Sequence, residues 1–157
     1  MTALENVRIA LQRRMRGDSF DFWNSERDLH ELDDEALELL QAVGLAEFAN
    51  TLAVELSYGR KRSLEIATTL ALDPEMLLLD EPMAGMAQED IDRISALIKR
   101  VSANRTVLMV EHNLSVVANL SDRITVLARG RVLAEGDYET VSKDERVIDA
   151  YIGVGHE

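Results

Sequence analysis

Two short apolar runs restrict this chain more than any other feature. Met76-Leu77-Leu78-Leu79 and Thr106-Val107-Leu108-Met109-Val110 lack polar alternation, so each reads as a buried strand covered on both faces. Between them, Ile91, Ile94, Ile98 and Val101 fall on one side of a helix expected from about Gln88 to Ser102. Strand, helix, strand at this spacing is a βαβ unit, with parallel strands and a right-handed crossover. The fold class is therefore α/β.

The flanks are helical before the unit and mixed after it. Thr2-Ala3-Leu4-Glu5 has capping-box spacing, and Leu4, Val7, Ala10 and Leu11 predict a helix to about Met15, stopped by Gly17. Asp18 to His30 reads as a polar loop whose Phe20, Phe22 and Trp23 form a packing cluster or a partner contact. Asp33, Asp34 and Glu35 suit a helix N-terminus, Leu37, Leu40 and Val43 supply its stripe, and Gly44 its stop. A further helix runs from about Tyr58 to Leu72, presents Leu64, Ala67, Leu70 and Ala71, and ends at Asp73-Pro74. After the βαβ unit come a short helix from Leu114 and two alternating runs around Arg129-Gly130, which predict a β-hairpin. Asp137 to Tyr151 reads as one helix.

Composition removes several classes of function. The 157 residues contain no Cys, which excludes zinc ribbons, disulfide scaffolds and thiol nucleophiles, and suits a reducing compartment. No apolar run approaches the ~20 residues of a membrane span, and the first residues lack the basic and apolar regions of a secretory signal. A formal charge of −12 argues against nucleic acid as a partner, because sequence-independent affinity for its backbone comes from clustered Lys and Arg. Any phosphate site must be local.

In open α/β sheets ligands bind beyond the carboxyl ends of the parallel strands. Asp80 and Glu81 stand immediately past the first strand, and Glu111 and His112 immediately past the second. Adjacent carboxylates at a strand end point apart. One therefore suits a metal-bound water and the other the orientation of an attacking water, while His112 could meet a ligand phosphate. Taken singly, each has a plainer reading as a cap, a solvated surface group or a structural histidine. Leu56-Ser57-Tyr58-Gly59-Arg60 opens the helix that ends at Leu72. There Ser57 can cap, Gly59 permits close approach, and Arg60, Lys61 and Arg62 gather positive charge, so the helix start reads as an anion site. An ordinary capped helix with a basic first turn is the alternative, although basic residues there oppose the helix dipole.

In this order, Leu56-Ser57-Tyr58-Gly59-Arg60, Leu77-Leu78-Leu79-Asp80-Glu81-Pro82 and Val110-Glu111-His112-Asn113 resemble the nucleotide-binding subunit of ABC transporters. They look like its signature motif, its Walker B strand with the following glutamate, and its switch histidine. Ala84-Gly85-Met86 and the ending Asp144 to Gly153 look like the branch serving branched-chain amino-acid and related amide or urea importers. Tyr58 and Arg60 depart from the commonest signature, and Ala87 stands near the position where many relatives carry the D-loop Asp. None of Lys61, Lys99 and Lys143 completes a Gly-x-x-x-x-Gly-Lys-Ser/Thr P-loop, so the chain resembles the latter part of a longer subunit.

The resemblance implies an ABC-type α-helical subdomain over residues 1–72. It implies a partial RecA-like P-loop NTPase core over 73–136, and a C-terminal helical extension over 137–157. It implies ATP and Mg²⁺ as cofactors. Ser57, Tyr58, Gly59 and Arg60 would face ATP held by a second ATP-binding subunit, identical or not. Asp80 would hold Mg²⁺ through water, Glu81 would polarise the attacking water, and His112 would sense the γ-phosphate. The function implied is a partial ATP-hydrolysing subunit that powers amino-acid import. It would sit in the cytoplasm against the inner face of the membrane, bound to permease subunits. A non-hydrolysing interaction module and a non-transport ABC ATPase are the rival classes.

Overall fold

The structure is a computed structural model that describes the backbone of residues 1–15 and 26–152 and the side chains of 1–14 and 32–150. The residues group into two compact units, Met1–Val110 and Glu111–Glu157. Among the described residues, no helix is long and apolar enough to cross a membrane. Gly17 and the expected cluster of Phe20, Phe22 and Trp23 lie outside the described residues.

The first unit opens with α1 (Ala3–Met15), α2 (Glu26–Ala42) and α3 (Tyr58–Ala71), and α1 packs on both of the others. The capping box at the start of α1 is formed: the Thr2 amide donates to Glu5 Oε2 at 2.7 Å, and the Glu5 amide to Thr2 Oγ1 at 3.2 Å. Val7, Leu11, Leu40, Val43 and Leu45 are sealed inside. Gly44, at φ +76°, ends α2 and turns the Leu45 amide back onto the Leu40 carbonyl at 2.7 Å.

Helix α2 corrects two expectations. It starts at Glu26, inside the stretch read as loop, so Asp33, Asp34 and Glu35 lie within the helix instead of at its N-terminus. Two of these carboxylates bind α1 instead: Arg8 meets Asp33 at 2.9 Å and Arg14 meets Glu35 at 2.8 Å. The buried stripe is Leu32, Ala36, Leu40 and Val43, while Leu37 is exposed.

Strands β1 (Met76–Asp80) and β2 (Thr106–Val110) pair in parallel around α4 (Gln88–Val101). Ile66 and Leu70 of α3 and Leu97 and Ile98 of α4 close over Leu77 and Leu79 of β1, leaving a void of about 10 Å³. That is room for no more than about one water. The other face differs from the sequence reading, for Met76, Leu78, Leu108 and Val110 are exposed. An unalternated apolar run marks a strand suited to cover on both faces, and the described residues cover one.

In the second unit, α5 (Leu114–Leu120) starts on Asn113, whose Oδ1 accepts from the amides of Ser115 at 3.1 Å and Val116 at 3.4 Å. Strands β3 (Ile124–Ala128) and β4 (Arg131–Gly136) form the expected antiparallel hairpin. Arg129 and Gly130 both have positive φ, 50° and 73°, as a two-residue turn of this hand requires. The expected final helix is two: α6 (Tyr138–Ser142) and α7 (Glu145–Ile152). The break has a local cause. Asp144 accepts from the Arg146 amide at 2.9 Å and pairs with its guanidinium at 2.7 Å, so a new cap begins there. Ala134, Val141 and Val147 form the core of this unit with Ile124 and Val126.

The Asp144 cap predicts a pH dependence. The hydrogen bond from Arg146 holds the Asp144 carboxyl down at about 2, against an ordinary value near ~3.9. A depressed folded value means the stabilisation is present above about pH 4 and is lost as pH falls towards 2. Carbon-detected NMR titration should find Asp144 ionised at pH 3; a midpoint near 4 contradicts the cap.

Candidate nucleotide-facing site

The first turn of α3 and the turn after β1 build one constellation in the first unit. Ser57 holds extended backbone and caps α3, its Oγ accepting from the Arg60 amide at 3.5 Å, while its carbonyl accepts from the Lys61 amide at 2.9 Å. A helix start of this kind presents amide donors and the positive end of the dipole. Ser57, Tyr58 and Arg60 are exposed, Tyr58 by 64%, and Gly59 is buried beneath them.

Gly59 is buried because this turn rests on the loop following β1. A Cβ there would stand 2.9 Å from the Gly85 carbonyl oxygen and 3.3 Å from Met86 Cα. Gly85 in turn has φ +71° and faces the Tyr58 ring so closely that a side chain would overlap it. Gly59→Ala is therefore expected to destabilise the chain by about 1–3 kcal/mol through overpacking against backbone. The better helix propensity of Ala offsets at most ~1 kcal/mol of that. A lower urea midpoint at unchanged slope is the expected reading, and a midpoint at or above the parent's contradicts the close approach.

Asp80 pairs with Val110 in the parallel register, so β1 and β2 end level. Asp80 and Glu81 are both exposed at that end. The Glu81 amide donates to the Val110 carbonyl at 2.8 Å and its own carbonyl accepts from the Ala84 amide at 3.1 Å. Its φ of 44° is left-handed, a conformation costing a non-glycine residue roughly 1 kcal/mol or more. Such strain concentrates at working sites. Among the described residues, no three His, Asp or Glu side chains gather as a metal cluster.

His112 and Glu111 belong to the second unit, in the turn before α5. Glu111 braces that turn: its Oε2 accepts from the amides of His112 at 3.1 Å and Asn113 at 3.3 Å. The His112 side chain is exposed.

The basic first turn of α3 also has structural work. The Arg60 guanidinium lies 3.9 Å over the Phe48 ring, and Arg62 pairs with Glu65 at 2.6 Å and donates to the Asp80 carbonyl. Sequence reasoning credited these cations to an anion site and missed Phe48 and the Arg62 bond. No side-chain pattern announces a backbone acceptor, so little could have revealed the latter.

The family model described as ABC transporter matches residues 1–84, and the chain belongs to that family. A second model, described as branched-chain amino acid ATP-binding cassette transporter, matches residues 131–157. Over 98% of its length the chain is 38% identical to the high-affinity branched-chain amino acid transport ATP-binding protein BraF of Pseudomonas aeruginosa. It is 36% identical, again over 98%, to the corresponding protein LivG of Escherichia coli. It spans 62% of the length of each. A crystal structure of the ADP conformation of an ATP-binding cassette of an ABC transporter superposes with a TM-score of 0.71 at 30% identity. That match covers 98% of this chain and 63% of the other. The β1–α4–β2 unit is accordingly part of a RecA-like P-loop NTPase core, and the resemblance read from the motifs holds.

Proposed function

We propose that this chain forms part of the ATP-binding, ATP-hydrolysing subunit of an importer for branched-chain amino acids or similar small solutes. In this reading residues 1–72 are the helical subdomain, 73–136 the partial core and 137–157 the C-terminal extension. The partners are a second ATP-binding subunit and transmembrane permease subunits, which hold the protein to the inner face of the cell membrane. The similarity to BraF and LivG supports the solute class.

One observation carries the proposal: the exposed, Ser57-capped start of α3 rests through Gly59 on the same turn that exposes Asp80 and Glu81. The residues fit the terminal phosphate of a nucleotide whose other phosphates are held elsewhere. Gly59 lets the turn settle against Gly85 and Met86, and the exposed, amide-rich helix end favours negative charge. Bound ATP with Mg²⁺ supplies the phosphoanhydride whose cleavage drives transport. Ser57, Tyr58, Gly59 and Arg60 orient the γ-phosphate of ATP on the partner subunit. Asp80 holds Mg²⁺ through water, Glu81 orients a water and draws on its proton, and His112 contacts the γ-phosphate. Positioning and charge stabilisation of this kind account for most catalysis of phosphoryl transfer.

Association tests the reading. The chain is mixed with a P-loop-bearing family member whose own hydrolysis is blocked, and complex formation is followed by light scattering. Complex with Mg-ATP, none without it, and none with a Ser57→Arg, Gly59→Asp chain are expected. Association indifferent to ATP contradicts a nucleotide-facing signature and leaves an interaction module.

A further inference from the structure

Arg62 is the residue through which α3 holds the end of β1. Its Nη1 pairs with Glu65 Oε2 at 2.6 Å, one turn along the same helix, and its Nη2 donates to the Asp80 carbonyl. Its Nε is removed from solvent with no partner among the described residues, so the side chain is placed for the two bonds at its tip. A planar guanidinium can serve two acceptors in fixed directions at once, whereas an ammonium is a single point. Glu65 therefore aims the fork and Asp80 receives it.

The same helix turn touches the same loop a second time, where Tyr58 and Gly59 meet Gly85 and Met86. That contact is packing, which resists approach but does little to resist sliding. The Arg62 bond is directional. Glu81, at φ 44°, lies between the two contacts, its amide tied to Val110 and its carbonyl to Ala84.

Resting on the reading that Ser57 and Gly59 face a nucleotide and Glu81 a water, we propose that Arg62 is a positioning residue. It fastens the first turn of α3 to the end of β1, so that the signature turn and Glu81 keep one relative placement. The guanidinium acts on Ser57 and Glu81 through backbone.

Arg62→Met removes the fork and keeps the apolar stem, and Arg62→Lys keeps an N–H donor close to the position of the fork for the Asp80 carbonyl. Residue-resolved amide exchange on the whole chain reads the clamp directly. The amides of Lys61, Glu81, Ala84 and Met86, bonded to Ser57, Val110, Glu81 and Met83, should exchange about tenfold faster in Arg62→Met, as loss of one charge-assisted bond implies. Those of Val43 and Leu45 in the helical core should not change, and Arg62→Lys should recover part of the protection. In trans-activation of a partner ATPase by this chain, Arg62→Met should lower kcat at least about tenfold with KM for ATP nearly unchanged, and Lys should restore part of it. Unaltered exchange in Arg62→Met overturns the clamp, as does a uniform rise that includes Val43 and Leu45. Failure of the unmodified chain to activate its partner counts against the nucleotide-facing reading, and the exchange pattern still decides the clamp.

Discussion

Glu81→Gln is expected to lower ATP turnover by about 10²–10⁴-fold when this chain is joined behind the P-loop-bearing first part of a family member. The amide keeps the size of the carboxylate but loses the basic oxygen that, in the proposed function, orients and deprotonates water. Nucleotide binding and ATP-driven association should persist, because the backbone that places residue 81 is held by Val110 and Ala84. Steady-state phosphate release with a parallel nucleotide titration measures both. A variant that keeps most of its turnover makes Glu81 a surface carboxylate held at a strained turn for another reason.

The elements legible in the sequence are those fixed by local chemistry. Thr2 and Glu5 announce a capping box that forms as expected, Asp73-Pro74 follows the end of α3, and Arg129-Gly130 marks a hairpin whose two turn residues take positive φ. The parallel pairing of β1 and β2 follows from two apolar runs with a helix between them. The motifs at Ser57, Asp80 and Glu81 were legible for the same reason, being short and contiguous.

The rest depended on partners distant in sequence. Asp33 and Glu35 carry the same charge whether they start a helix or bind Arg8 and Arg14 on a neighbouring one, and only the packing of α1 on α2 decides. Asp137 to Tyr151 reads as one helix, yet the Asp144 carboxylate captures the Arg146 amide and starts a new one. Arg62 read as part of a basic patch, and its use is a bond to a main-chain oxygen eighteen residues away. The closeness of Gly59 to Gly85 is likewise a property of the turn after β1 that no pattern near residue 59 contains.

In the proposed function this chain presents a signature turn to a nucleotide bound by another chain. A P-loop in the same polypeptide is not needed for that. Take a P-loop-bearing family member whose own signature has been disabled, so that its ATPase is silent, and add this chain. The measurement is ATPase rate against added chain, with the Ser57→Arg, Gly59→Asp chain as control and folding and binding of both verified. The predicted result is restoration of turnover by the unmodified chain and none by the control, since Ser57→Arg removes the cap and Gly59→Asp brings bulk and negative charge into the first turn of α3. Equal rates with both chains, each folded and bound, would contradict the claim.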